Sequence, residues 1–186
     1  EYRFGASRGV DTNVFVTVST GIGAGIIIDG KLYRGVTGTA GEIGHTIVNP
    51  KSTIRCGCGN LGCLMSHASG LALPQNIRER ATAAGGATKE RIDALPDKAL
   101  HGEFVRSGLD AGDPLCREIV EEYAEYMGIG LYNLFQLLNP GVIVLGGGLT
   151  NWGQHYLHGV KRRFYETAGT MMASRTEIRL AELEAH

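Results

Sequence analysis

Apolar positions along the chain switch between two periods. "NVFVTVS" (13–19) is an apolar run rich in β-branched residues, and it predicts a strand buried on both faces. "GIIIDGKLYRG" (25–35) reads as a hairpin through Asp29-Gly30, a dipeptide that accepts the positive φ angles of a tight turn. "HTIVN" (45–49) predicts a further short strand. From 71 to 84 the spacing turns helical, with Pro74 confined to the first turn. "TKERIDAL" (88–95) and "PDKALHGEFVRSG" (96–108) predict shorter helices. Asp113-Pro114 pairs a capping side chain with a proline at the first helical position. Leu115, Ile119, Tyr123, Met127, Leu131, Leu134 and Leu138 then recur at helical spacing, so a long, largely buried helix is expected over 113–138. Gly128 and Gly130 inside it lower helix stability, which predicts close packing of a neighbour there. "NPGVIVLGGG" (139–148) is a buried strand ending in three glycines, 151–168 an amphipathic helix, and "EIRLAEL" (177–183) a final strand. Strands alternating with helices place the chain in the α/β class.

Composition narrows the function. The 186 residues suffice for one sizeable domain or two small ones. Hydrophobic residues make up 43% and charged residues 20%, as in ordinary globular proteins, and the net charge of -1 offers no basic surface for nucleic acid or lipid. No apolar run approaches the ~20 residues of a membrane span. The opening "EYRFGASRG" has no apolar core of the kind an export signal carries, so a cytoplasmic location and no membrane partner are expected. The 28 glycines cluster at strand ends, as tight loops around a ligand or metal would require.

Three of the four cysteines fall in "HTIVNPKSTIRCGCGNLGC" (45–63). Cys56 and Cys58 are too close in sequence for an easy mutual disulfide. Cys116 stands apart in the long helix and is expected to be a buried core thiol. His45, Cys56, Cys58 and Cys63 offer one nitrogen and three sulfurs, the donor set of a tetrahedral structural zinc with no open position. A reduced, metal-free cluster is the alternative.

Two strands run into glycine-rich turns, "TVSTGIGAG" and "VIVLGGGLTNWG". Backbone N–H groups exposed on such turns suit phosphate oxygens. Neither matches the P-loop or a dinucleotide fingerprint, and a plain tight turn is the other reading of each. His155 and His158, three apart on one helix, and the run Lys161, Arg162, Arg163 are expected to be solvated helix surface.

"STGIGAGIIIDGKLYRGVTGTAGEIGHTIVN", "CGCGNLGC", "ASG" and "NPGVIVLGGGL" together resemble the ROK family of sugar kinases and repressors over nearly the whole chain. The resemblance implies a single C-terminal lobe (1–186) of the actin-like, hexokinase-type ATPase fold (the ribonuclease H-like class), with a structural zinc loop at 45–63. It implies that one ring nitrogen of His45 binds zinc while the other faces a sugar hydroxyl, and that Glu42 accepts hydrogen bonds from the sugar. Thr20, Gly21 and Gly23 match a phosphate loop of the family, and Gly146, Gly147 and Gly148 match its adenosine-side glycines. The implied ligands are a hexose or N-acetylhexosamine, ATP and Mg2+. A homodimer is also implied, and nucleic acid only where a helix-turn-helix precedes the lobe.

The departures are informative. The Asp-x-Gly-Gly-Thr loop and the Asn-Asp pair, whose Asp is the family's catalytic base, do not occur, so no catalytic residue is assigned here and this stretch alone is expected not to turn over ATP. The family's Gly-Cys-Leu-Glu reads Gly62-Cys63-Leu64-Met65. Met65 offers no charge-assisted acceptor, so either the sugar differs, or Ser66 or His67 substitutes, or sugar binding is degraded. A glucokinase-like kinase is the leading reading, because the nucleotide-side glycines are intact. The effector-binding lobe of a sugar-responsive repressor is the alternative.

Overall fold

A computed structural model describes residues 1–169 and 175–183. Five strands form one mixed sheet in the order β3-β2-β1-β4-β5. They are β1 (Asn13–Val18), β2 (Ile22–Ile28), β3 (Lys31–Tyr33), β4 (Val142–Gly146) and β5 (Glu177–Leu180). The first three are antiparallel neighbours, whereas β1–β4 and β4–β5 are parallel. Among the described residues there are six α-helices, five before β4 and one after it: α1 (Leu64–Ala68), α2 (Leu73–Ala84), α3 (Gly86–Asp93), α4 (Gly102–Asp110), α5 (Pro114–Leu138) and α6 (Gln154–Ala168). The α/β expectation holds.

The Asp29-Gly30 turn forms as predicted, with φ of 50° and 73°, the paired positive angles of a two-residue hairpin. The glycine-rich turn is shorter than its sequence, because β2 already begins at Ile22. Only Ser19, Thr20 and Gly21 make the turn, and Gly23 and Gly25 pair within the ladder against Thr17 and Phe15. The sheet is not buried equally on both faces. Val14, Val16 and Val18 are in the main core, but Phe15 is half-buried and Thr17 exposed. On the face bearing Phe15, Val142 and Val144 of β4 form a small second cluster with Ala6, Val10 and Ala181.

The long helix matches its prediction. Asp113 Oδ1 accepts the Leu115 N–H at 3.0 Å, Pro114 opens the helix, and Asn139 ends it in the left-handed region at φ 41°. Ile119, Met127 and Leu131 are fully buried against the sheet and α6, each such side chain stabilising the fold by about 1.5–3 kcal/mol. Gly128 and Gly130 are points of close packing, as expected. A β-carbon would come 2.6 Å from Arg163 Cβ at the first and 2.6 Å from Leu64 Cδ2 at the second. Cys116 is a buried core thiol, and burial pushes it up to about 12.

Two predicted elements differ. The segment 45–49 is not a strand. Ile43–His45 is one turn of 3-10 helix, and Ile47 makes only an isolated bridge to Cys63. The loop spends its backbone on folding around the cysteines instead. The helix predicted over 96–108 is split. Asp97–Ala99 is a 3-10 turn and α4 starts anew at Gly102, capped by His101 Nδ1 accepting the Glu103 N–H at 3.2 Å. Trp152 Nε1 donates to the Gly102 carbonyl at 2.9 Å and anchors the break. Among the described residues no helix is long and apolar enough to cross a membrane.

Candidate functional site: a four-donor cluster and two adjoining cavities

The loop 45–63 folds back on itself through short backbone hydrogen bonds. Val48 and Asn49 N–H both point to the Gly62 carbonyl, Cys56 N–H to Asn60, and Gly59 N–H to Cys56. Leu64 N–H donates to Thr46 at 2.9 Å and fixes α1 to the start of the loop. The result gathers His45, Cys56, Cys58 and Cys63 so that one donor atom from each lies within 4.8 Å of all the others. His45 Nδ1 is 3.5 Å from Cys56 Sγ, and Cys58 Sγ is 3.7 Å from Cys63 Sγ. A zinc tetrahedron with bonds of about 2.3 Å to sulfur and about 2.0 Å to nitrogen has edges of roughly 3.5–3.8 Å. Both distances match such an edge, and all four cysteines are free thiols. The thiols are poised unequally. The Asn60 N–H holds Cys58 down to about 7, while burial and its sulfur neighbours push Cys63 up to about 12. Thiolate is the metal-binding form, so the low-lying Cys58 is the thiol readiest to coordinate.

The second ring nitrogen of His45 faces outward. Nε2 stands 3.9 Å from Glu42 Oε2, and His45 lines a cavity of about 480 Å³ with Gly21, Arg55, Met65, Ser66, Leu71 and Gln75. Glu42 sits at the edge of this arrangement. It lines a neighbouring hollow of about 310 Å³ with Ile26, Thr39 and Asn133 rather than the His45 cavity itself. Met65 fills the space over two glycines. Its Sδ is 3.6 Å from where a β-carbon on Gly21 would stand, and its Cε 2.7 Å from the equivalent point on Gly44. Ser66 reaches the same cavity, although its Oγ donates to the Cys63 carbonyl at 2.9 Å. His67 lines a different one.

A second cavity of about 300 Å³ lies beside the first. Ser19, Thr20, Gly70, Leu71, His101, Arg106, Gly148 and Trp152 line it. Leu71 belongs to both cavities, and the turn Ser19–Gly21 separates them, with Thr20 on one side and Gly21 on the other. Gly70 and Leu71 N–H donate to the Ser19 and Thr20 carbonyls at 2.7 and 3.0 Å and hold the turn from below. Among the described residues the Thr20 and Gly21 N–H groups donate to none. Gly147 lets the second glycine turn approach the first. Its φ is 101°, and a β-carbon there would be 2.6 Å from the Val18 carbonyl oxygen. Of the six glycine-turn residues expected to bind nucleotide, Thr20 and Gly148 line this cavity. Gly21 lines the first, Gly146 packs under Phe15, and Gly23 lies within β2.

Arg106, His101 and Trp152 carried no motif. The one signal for this wall is that the sole tryptophan follows the glycine triplet by four residues. The surface candidates behave as surface. His155 is an exposed partner of Glu121, and Arg162 and Arg163 both pair with Glu125 of α5.

The sequence profile of the ROK family matches residues 1–186. The chain is 35% identical over 184 residues to a glucokinase of Halalkalibacterium halodurans, covering 96% of this chain and 54% of that protein. It is 36% identical over 154 residues to a xylose repressor of Caldicellulosiruptor bescii, covering 83% of this chain and 38% of that one. Its structure superposes on the ROK family glucokinase from Streptomyces griseus, solved with glucose and AMPPNP, with a TM-score of 0.83 and 34% identity over 98% of this chain and 59% of that one. The chain therefore belongs to the ROK family, with the mixed α/β fold of its glucokinases. It spans about half the length of the curated glucokinase it matches.

Proposed function

We propose that this chain is the sugar- and nucleotide-binding C-terminal lobe of an ATP-dependent sugar kinase. The observation that carries the reading is the Ser19–Gly21 turn standing between two adjoining cavities. A phosphoryl group passing from one to the other must cross that turn, where two N–H groups are free to donate to the oxygens that carry the developing negative charge. Catalysis of this kind is mainly positioning and charge stabilisation.

In this reading the sugar occupies the His45 cavity. His45 Nδ1, Cys56, Cys58 and Cys63 would hold a structural zinc ion, which supplies rigidity and no open coordination position. With Nδ1 committed, the tautomer is set and Nε2 presents one defined hydrogen-bonding atom to a sugar hydroxyl. Glu42, beside Nε2, accepts from a neighbouring hydroxyl. ATP occupies the second cavity, with its phosphates toward Thr20 and Gly148. By the family's pattern, the carboxylate that takes the sugar's proton belongs to the Asn-Asp pair, which does not occur in this sequence.

The repressor reading rests on the repressor relative and on Met65, which takes an acceptor out of the sugar cavity. The test is a coupled ATPase assay on the whole protein across hexoses and N-acetylhexosamines. Sugar-dependent ADP release supports the kinase. Absence of turnover with every sugar, together with sugar-sensitive DNA binding, replaces it with the repressor.

A further inference from the structure

Behind the sugar cavity, on the other side of α1, lies a third cavity of about 250 Å³ lined by Ile54, His67, Asn76, Glu79, Arg80, Ala83 and Glu122. It shares no lining residue with either of the other two. Met65 and Ser66 point one face of α1 at the first cavity, and His67 points the other face at this one.

Two of its polar side chains are buried and incompletely bonded. Tyr123 Oη donates to the Ser69 carbonyl at 3.3 Å, so its oxygen is left to accept from Asn76 Nδ2 at 3.0 Å. That pair of bonds fixes the Asn76 amide and leaves Oδ1 over. Asn76 is 6% exposed, and its Oδ1 has no hydrogen-bond partner. His67 is 4% exposed, lies stacked on Tyr126 with ring centroids 4.4 Å apart, and its Nε2 likewise has no partner. A buried polar atom left unbonded is destabilising, so two around one hollow indicate that something fills it.

The remaining lining defines what that is. Glu122 Oε2 accepts from Arg80 at 3.0 and 2.9 Å, which neutralises that pair. Glu79 has only an amide partner, Gln75 Nε2 at 2.9 Å. The walls thus carry one uncompensated carboxylate. Burial lowers the His67 pKa against the pull of Glu122 and Glu79, so the ring adds no positive charge near neutrality. The unmet groups are mostly acceptors, the net charge is negative, and Ile54 and Ala83 supply a short apolar wall. Water, at about 30 Å³ per molecule, would satisfy the acceptors and hydrate the exposed Glu79 carboxylate, whereas a cationic donor would satisfy the same acceptors and also neutralise the net negative charge of the lining.

We infer that the cavity lined by His67, Asn76, Glu79 and Glu122 is a second ligand site that takes a primary ammonium group on a short aliphatic chain. The ammonium would donate to Asn76 Oδ1 and Glu79, and its methylenes would lie against Ile54 and Ala83.

The test is an NMR titration of the protein with n-butylammonium, following the Asn76 side-chain amide and the His67 ring, with n-butanol as the neutral control. The expected result is saturable shifts at both residues, with a dissociation constant on the order of millimolar for so small a ligand. Glu79 is exposed, so Glu79→Gln leaves the fold intact, and it is expected to weaken binding about tenfold. Absence of saturation, shifts only at residues of the other cavities, equal binding of butanol, or an unchanged constant in Glu79→Gln would each overturn the assignment. In those cases water alone or a simple apolar hollow fills the space.

Discussion

His45 Nδ1 lies 3.5 Å from Cys56 Sγ. The contact places a ring that faces the proposed sugar cavity on the same scaffold as the cysteine cluster. A side chain with rotational freedom would lose entropy on binding sugar. A ring held at one nitrogen has lost it already, and this is how a metal can serve binding without touching the ligand.

One zinc per chain is therefore expected by elemental analysis of the purified protein. Cys63→Ser removes a fully buried donor and should lower both the zinc content and the melting temperature. Full thermal stability retained after complete removal of metal by a chelator would rule out a structural role for the cluster.

The two glycine turns meet at Gly147, where φ is 101° and the Val18 carbonyl blocks a β-carbon at 2.6 Å. Gly147→Ala should destabilise the chain by roughly 1–3 kcal/mol in urea unfolding, because both strain and a clash must be relieved. Nucleotide affinity should fall with it. A variant as stable as the parent would show that the turns can separate without cost.

Trp152 lines the proposed nucleotide cavity and is the only tryptophan. Adenine nucleotide should change its fluorescence in a saturable way. Calorimetric nucleotide binding with unaltered emission would move the nucleotide to another part of the molecule.

His67 should make stability depend on pH. Burial is the main cause of its lowered pKa, with Glu122 and Glu79 acting in the opposite direction. The unfolded chain takes up a proton near pH 6.5 while the native chain lags behind it. Stability is thus complete above about 6.5, falls as pH drops through that value, and levels off below the native pKa. In His67→Gln the slope of unfolding free energy against pH over that window should flatten. A slope identical to the parent's would mean that other groups carry the acid sensitivity.

Much of the fold was legible because its signals are local. The Asp29-Gly30 turn and the Asp113-Pro114 helix start each depend on two adjacent residues, and both formed as read. The four-donor cluster was legible for a similar reason, since sulfur and imidazole at that spacing have few other uses. The strand expected at 45–49 failed because its residues are committed to the metal-type loop, a demand that alternation of apolar residues does not record. The break at Leu100–Gly102 was invisible because its anchor, Trp152, lies 50 residues away.

The sequence by itself determined the element order, the cluster of His45 and its three cysteines, and the two glycine turns, because each is encoded in residues near one another along the chain. Only the tertiary structure decided that the turns meet, that Gly21 and Thr20 serve different cavities, that Glu42 stands at the rim, and that His67 and Asn76 share a hollow. Those outcomes depend on how α1, α2 and α5 pack across the sheet. Packing is set by the closest approaches between distant residues, such as Gly130 against Leu64 and Gly147 against Val18, and no local pattern carries such distances.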